Sequence, residues 1–329
     1  MYTKIRDVAL KTGETVELAR LTGPDLEWGP RIEHLLGHKG EPWNWQIHQC
    51  LSTPNLGLET FCHILSRAGR PIANISTFEV NGVGIFGHVF TVPEEREKGA
   101  ANILNQAVMA DFQARGGRAL YLGTTYDSPA YHVYRKHGFE SVEPRSPYMI
   151  FTKLGKPAFE KGFFAAGPAT IEPLAFKHWP VLPALTMMDH PARLRVLGLG
   201  IVSASSTESG SLELIKHAAD HHKPVTALVA VSNLTQAPVV LACWKPEAYF
   251  NCQVDLMDVF FAPGFDDAAV KTVKALDLPA GRKIVCYTDS AWPQKESVLQ
   301  AAGFTREATL RSHLKSGDSV LDVTVWSRM

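Results

Sequence analysis

The stretch Val92-Pro93-Glu94-Glu95-Arg96-Glu97-Lys98-Gly99-Ala100-Ala101 combines the residue types best suited to holding an anion. An apolar run stops at Pro93, a charged turn follows, and small residues open an amphipathic helix. The first turn of a helix leaves backbone N–H groups unpaired and carries the positive end of the dipole. Gly99 lets backbone approach a ligand, Ala100 and Ala101 keep side chains out of the way, and Arg96 and Lys98 add charge. Such a loop suits a phosphate or pyrophosphate. A second cluster is Glu213, His217, Asp220, His221 and His222. His217 and His221, four apart, have a spacing that zinc can use. No third ligand or cysteine pattern accompanies them, so a solvated helix end is expected and no metal.

The elements that position the loop follow from periodicity and turn signals. Thr15–Leu21 reads as a strand, and 24–36 and 45–51 as helices. Runs at 58–66 and 71–80 are strands, the second ending in Asn81-Gly82, a type I′ hairpin signal. The strand returns over 83–92 and stops at Pro93. A helix with Ile103, Leu104, Ala107, Val108 and Phe112 on one face closes at Gly116-Gly117. A strand at 119–124, a helix at 129–136 and a strand at 148–153 complete an α+β order, with one sheet face covered by the helices. Residues 156–168, rich in proline, glycine and lysine, read as a linker between domains at 1–155 and 169–329. The later half runs through a strand near Ile171, a helical stretch within 177–185, a helix at 212–219 and strands at 225–231 and 238–244. It continues with a strand at 253–261, a helix at 268–276, a strand at 283–287, a helix at 294–302 and a strand at 320–326. Lys136-His137-Gly138-Phe139 and Ala301-Ala302-Gly303-Phe304 end short helices in matching contexts, which points to an internal repeat.

Composition bounds what such a chain can do. Its 329 residues suffice for two domains with proper cores, and 33 Lys+Arg balance 33 Asp+Glu. Zero net charge removes any general grip on nucleic acid or an acidic membrane surface, so neither is expected as a partner. Five scattered cysteines, none in a C-x-x-C pair, argue against a disulfide framework or zinc ribbon and for a reducing compartment. The first eleven residues lack a signal-peptide core, and the apolar runs are strand-sized, so a cytoplasmic location is expected.

In its setting the loop acquires a resemblance. Strand, Arg96-x-x-Gly99-x-Ala101, helix, strand, then Ala130-x-x-x-Tyr134-x-x-x-Gly138-Phe139 resembles the GNAT superfamily of acyl-CoA-dependent N-acetyltransferases over about residues 15–153. The resemblance implies acetyl-CoA as co-substrate. Phe90, Thr91 and Val92 would offer backbone to the pantetheine arm. Amides from Lys98, Gly99, Ala100, Ala101 and Asn102, with the Arg96 side chain, would hold the pyrophosphate. Tyr134 stands where the family's general acid protonates the departing thiolate. Asp127 departs from the family's frequent Asn and is expected to turn outward and cap the helix. The general base stays open between Glu79 and His88, because the offsets associated with the family's base fall on Ile85 and Gly87. Trp43, Trp45 and His48 fall where the fold lines its acceptor pocket.

The later half lacks these marks. Its loop reads Ala262-Pro263-Gly264-Phe265-Asp266-Asp267, with acidic residues where a pyrophosphate would lie, and Leu299 stands in place of the tyrosine. The expected architecture is two tandem GNAT-like α+β domains, each a mixed, mostly antiparallel twisted sheet flanked by helices, the second degenerate and without cofactor. The expected activity is acetyl transfer from acetyl-CoA to a small-molecule amine by direct attack, in a monomer or homodimer. A non-catalytic acyl-CoA-binding sensor or partner module, and a protein N-terminal or lysine acetyltransferase, remain as alternatives.

Overall fold

Asn81 and Gly82 take φ of 51° and 72°, the left-handed pair that a type I′ hairpin requires, and Val80 pairs with Val83 across them. This hairpin is the middle of the first of two units, Met1–Phe159 and Glu160–Met329, in a computed structural model that describes residues 1–206, 208–247, 254–317 and 319–329. The first unit runs β1 (Tyr2–Ala9), β2 (Thr15–Thr22), α1 (Gly29–Leu36), α2 (Trp43–Ser52), β3 (Glu59–Arg67), β4 (Arg70–Val80) and β5 (Val83–Thr91). Then come α3 (Ala100–Ala114), β6 (Ala119–Gly123), α4 (Pro129–Lys136), β7 (Glu140–Ser141) and β8 (Tyr148–Thr152). The strands form one sheet in the order β1-β2-β3-β4-β5-β6-β8-β7, antiparallel except for the β5–β6 pair.

Helices cover both faces of this sheet, not the one face expected. On one side Leu104, Val108 and Phe112 of α3 and Tyr131 and Tyr134 of α4 pack on Leu65, Ile75, Phe86 and Leu120. On the other, Ile32 and Leu36 of α1 and Ile47 and Leu51 of α2 pack on Leu21, Cys62 and Ile64. Every interior position of β3 and β4 is accordingly buried, with no alternation. Strand β1 was not foreseen, because its side chains are largely exposed and include Lys4, Arg6 and Asp7, as befits a sheet edge.

Among the described residues, the second unit repeats the order and sense of the first sheet from its second strand onward, with no counterpart of β1. It contains β9 (Ala169–Pro173), α6 (Leu182–Thr186), β10 (Leu194–Val196), β11 (Ile201–Val202), α7 (Glu208–Asp220), β12 (Ala227–Ser232), β13 (Pro238–Pro246) and β14 (Val254–Phe261). These are succeeded by α8 (Asp266–Ala275), β15 (Lys283–Asp289), α9 (Pro293–Ala301), β16 (Thr305–Ser316) and β17 (Ser319–Arg328). Its main sheet is β9-β12-β13-β14-β15-β17-β16, again with one parallel pair, β14–β15, in the place of β5–β6. The residues expected as a linker contain a helix, α5 (Lys156–Phe163). Gln253, expected to open β14, and Cys252 lie outside the described residues, while Cys50, Cys62, Cys243 and Cys286 are free and buried.

The two parallel pairs differ past the end of their ladders. β14 and β15 pair only over Val254–Leu256 and Lys283–Val285. Beyond that, β10 and its flanks are held to both strands. Asp258 on β14 accepts from Leu197 N at 2.5 Å, and Asp289 on β15 accepts from Arg193 N at 2.8 Å and Leu194 N at 2.6 Å. The fully buried Lys295 bonds Asp258 at 2.5 Å and Leu194 O at 3.2 Å. A buried ion pair of this kind needs such additional hydrogen bonds to offset desolvation.

Candidate active site

β5 and β6 also pair only briefly, Val83–Ile85 against Ala119–Tyr121. From Phe86 onward β5 leaves its neighbour. A one-residue bulge adds to this: Asn74 pairs with Phe90 and Ser76 with Gly87, and His88 takes φ of 49°. The carbonyl of His88 accepts from Asn74 Nδ2 at 3.0 Å, so the kink is held by a buried amide.

β5 leads into the charged turn, where Glu97 and Gly99 take φ of 66° and 91°. Among the described residues, the N–H groups of Glu97, Lys98, Gly99, Ala100 and Ala101 donate no hydrogen bond. Five consecutive free donors at the start of a fifteen-residue helix form an anion cradle. The turn is fixed from beneath by Glu95, nearly fully buried, which binds Arg67 at 2.7 Å and Lys98 at 3.3 Å. Its carboxyl is held below the usual range chiefly by the Arg67 hydrogen bond. Arg96 bonds the Thr91 carbonyl at 3.3 Å, and a side chain at Gly99 would meet Lys11 Cγ at 3.2 Å. Asn102 Oδ1 accepts from His137 Nε2 at 3.3 Å and so links α3 to the end of α4.

A family model, the acetyltransferase (GNAT) family, matches residues 26–139, which span α1 to Phe139. This segment is a GNAT acetyltransferase domain. The family uses acetyl-CoA, and the free amides, the bulged strand and the departure of β5 from β6 fit that molecule's pyrophosphate and pantetheine. Solved structures similar to the chain include a GNAT acetyltransferase from Bacillus anthracis, 15% identical, with 51% of this chain and 98% of that one covered and a TM-score of 0.35. Others are the ribosomal-protein-alanine N-acetyltransferase of Brucella melitensis (14%, 49% and 99%, TM-score 0.37) and yncA of Salmonella typhimurium with acetyl-CoA (16%, 49% and 94%, TM-score 0.39). No curated protein matches. Among the described residues no helix is long and apolar enough to cross a membrane, and no three His, Cys, Asp or Glu side chains converge as a metal site.

Within the GNAT domain Tyr134 projects from α4 onto Phe86, ring to ring at 5.6 Å, where β5 leaves β6. Burial pushes its hydroxyl up to about 12, so it stays a neutral donor. The N-cap of α4 is Ser128, whose hydroxyl accepts from Tyr131 N at 3.2 Å. Asp127 turns outward as expected, but it pairs with His132 at 3.0 Å and does not cap the helix.

His88 and Glu79, the two candidate bases, are placed very differently. Glu79 is fully buried and bound by both guanidinium ends of Arg115 at 2.8 and 2.9 Å and by Thr77 Oγ1 at 2.5 Å. Arg115 also binds Asp111 at 2.9 Å and lies over the Phe61 ring at 3.7 Å. Glu79 is thus committed to an internal network and is not available to an acceptor. His88 instead faces α2. Its Nε2 is 2.7 Å from Gln46 Oε1, and the edges of Trp43 and Phe78 enclose it at 5.9 and 5.5 Å. Burial, reinforced by the Lys39 ammonium, pushes its pKa down to about 3. With Nε2–H given to Gln46, the Nδ1 lone pair is left without a partner among the described residues.

Trp43 therefore does meet His88, while His48 is exposed and pairs with Glu33 on α1 at 3.2 Å. Trp45 is half-buried on the same helix. Gln46 was not singled out from the sequence. It lies three residues after Trp43, so the first turn of α2 aims both at β5, a signal available once the helix start is moved to Trp43.

Proposed function

We propose that the protein is an N-acetyltransferase that moves the acetyl group of acetyl-CoA to a primary amine of a small molecule. The observation that carries this reading is the cradle of five free N–H groups directly after a bulged strand that has left its neighbour. The first unit would hold acetyl-CoA, and the second would be a degenerate copy that lost the cofactor site. In support, its splayed strands are bridged by its own β10 and its helix α8 opens with Asp266 and Asp267.

The reaction would run by direct attack. The amine nitrogen bonds to the thioester carbonyl carbon, the carbon–sulfur bond breaks, and the electron pair leaves on sulfur. His88, neutral at any ordinary pH, would accept a hydrogen bond from the amine through Nδ1 and so aim its lone pair. A base of such low pKa orients the amine rather than storing its proton, which passes on to solvent. Tyr134 would donate to the departing sulfur. Full proton transfer from a phenol near 12 to a thiolate is uphill, so its contribution is a hydrogen bond, with water completing the protonation.

Calorimetric titration of acetyl-CoA tests the reading. One site per chain is expected, lost in Arg96→Ala/Gly99→Glu, together with CoA release on adding amines. Two sites per chain would restore a cofactor role to the second unit, and none would remove the acetyltransferase reading.

A further inference from the structure

Between the main sheet of the second unit and its own β10–β11 hairpin lies a cavity of about 960 Å³. The strand register places its floor on one sheet face. Lys245 pairs with Leu256, Leu256 with Val285, and Tyr287 follows Val285 by two residues. Asp289, two further on, pairs with Val323, and Val323 with Leu310. Paired residues share a face, so these side chains form one row from β13 to β16. Asp289 accepts from the Arg193 and Leu194 amides, so the hairpin is anchored to this same face. Leu194, Leu197 and Val202 of the hairpin and its 3-10 turn form the facing wall. On β16 the register shifts between Leu310 and Leu314, and Ser312 takes φ of 50°; His313 and Leu314 after it both line the cavity.

The lining is mostly aliphatic and incompletely covered. Leu197, Leu256, Leu310 and Leu314 are half-buried, and Val202 is 38% exposed. Apolar side chains gathered around open space favour an occupant that takes them out of water, and the volume suits a small molecule. Lys245 and Glu247, two residues apart at the end of β13, carry opposite charges and offset each other, and His313 is exposed. An ionic group drawn between the leucines would therefore lose hydration without a counter-charge in excess. Tyr287 supplies a polar contact instead. Among the described residues its hydroxyl makes no hydrogen bond, and burial, with the Glu247 carboxylate nearby, raises its pKa and keeps it a neutral donor.

We propose that this cavity binds a neutral, largely apolar small molecule carrying one hydrogen-bonding oxygen, such as a medium-chain alcohol, with Tyr287 as the polar contact. The site belongs to the second unit and does not rest on the acetyltransferase reading.

The neutral fluorescent probe N-phenyl-1-naphthylamine tests the proposal on the full chain, with 1-decanol and decanoate as competitors and thermal melting of each variant alongside. One saturable site per chain is expected, displaced by 1-decanol and retained in Arg96→Ala/Gly99→Glu. Leu256→Trp and Leu314→Trp, which fill the cavity from two strands, should each weaken the probe about tenfold or more while melting cooperatively. Tyr287→Phe should weaken 1-decanol about fivefold, the scale of one neutral hydrogen bond. No saturable site in wild type, a site lost in Arg96→Ala/Gly99→Glu, or one that survives in a folded Leu256→Trp or Leu314→Trp overturns the proposal. Decanoate displacing the probe better than 1-decanol overturns the neutral class of ligand. Failure of acetyl-CoA to bind would remove the proposed function and leave this site standing.

Discussion

A phenol and an imidazole face the site from two elements, and burial moves both away from titration at neutral pH. Tyr134 is pushed up to about 12 and His88 down to about 3, so each is neutral whenever the domain is folded. Their chemistry is then that of hydrogen-bond donor and acceptor at fixed positions. Tyr134→Phe removes only the donor and keeps the ring contacts with Phe86 and Phe139. We expect kcat to fall about 100-fold or more, with acetyl-CoA affinity changed by less than about threefold. Steady-state kinetics and calorimetry on the one variant check both halves. Tyr134 was legible because its motif is local, ending in Gly138-Phe139 within one helix and turn. His88 could not be decided from sequence because its role depends on a bulge and on Gln46, forty-two residues away, neither of which has a sequence signature.

At the scale of elements, α3 does two jobs from opposite ends. Its N-terminus presents the free amides, while Asp111 and Arg115 near its C-terminus bind Glu79 on β4 and Arg20 on β2. The apolar stripe of α3 was readable, but this polar end was not. Glu79 looked like a candidate base because a carboxylate on a buried strand has no local partner, and its partner comes from a helix thirty-six residues on. Arg115→Met keeps the apolar stem over Phe61 and strands the Glu79 charge. Removing one member of a buried pair costs about 3–5 kcal/mol, so a corresponding loss in urea unfolding is expected. Glu79→Gln combined with Arg115→Met should recover part of it, since no charge is then left unpaired. The helix expected at 24–36 starts only at Gly29, and the one expected at 45–51 starts two residues early, at Trp43. That small shift hid the register that brings Gln46 to His88.

For the whole molecule the succession of elements along each half was foreshadowed by turn signals and by the two Gly-Phe helix endings, while the order of strands within the sheets was not. The longest strand, β16, was missed. Its side chains are almost all exposed, so neither burial nor alternation announces it. Acid stability is also a property of the whole. His63 is fully buried, lacks a hydrogen bond on either ring nitrogen, and is held down to about 4 by burial; His190 is held down to about 3. In the unfolded chain these imidazoles take up protons near pH 6.5, so between there and the folded values the unfolded state binds more protons. Stability should therefore fall as pH drops from about 6.5 towards 4, with about 3 kcal/mol traceable to His63. Melting temperatures of wild type and His63→Leu across that range check this, the variant giving the shallower slope. The fastening of β10 by Asp258, Asp289 and Lys295 has a consequence of its own. A tethered occupant acts as a competitor that dilution cannot remove, at an effective concentration far above any diffusing molecule. On the proposed reading, a rising level of acyl donor is therefore expected to leave that gap closed unless the tether is first released.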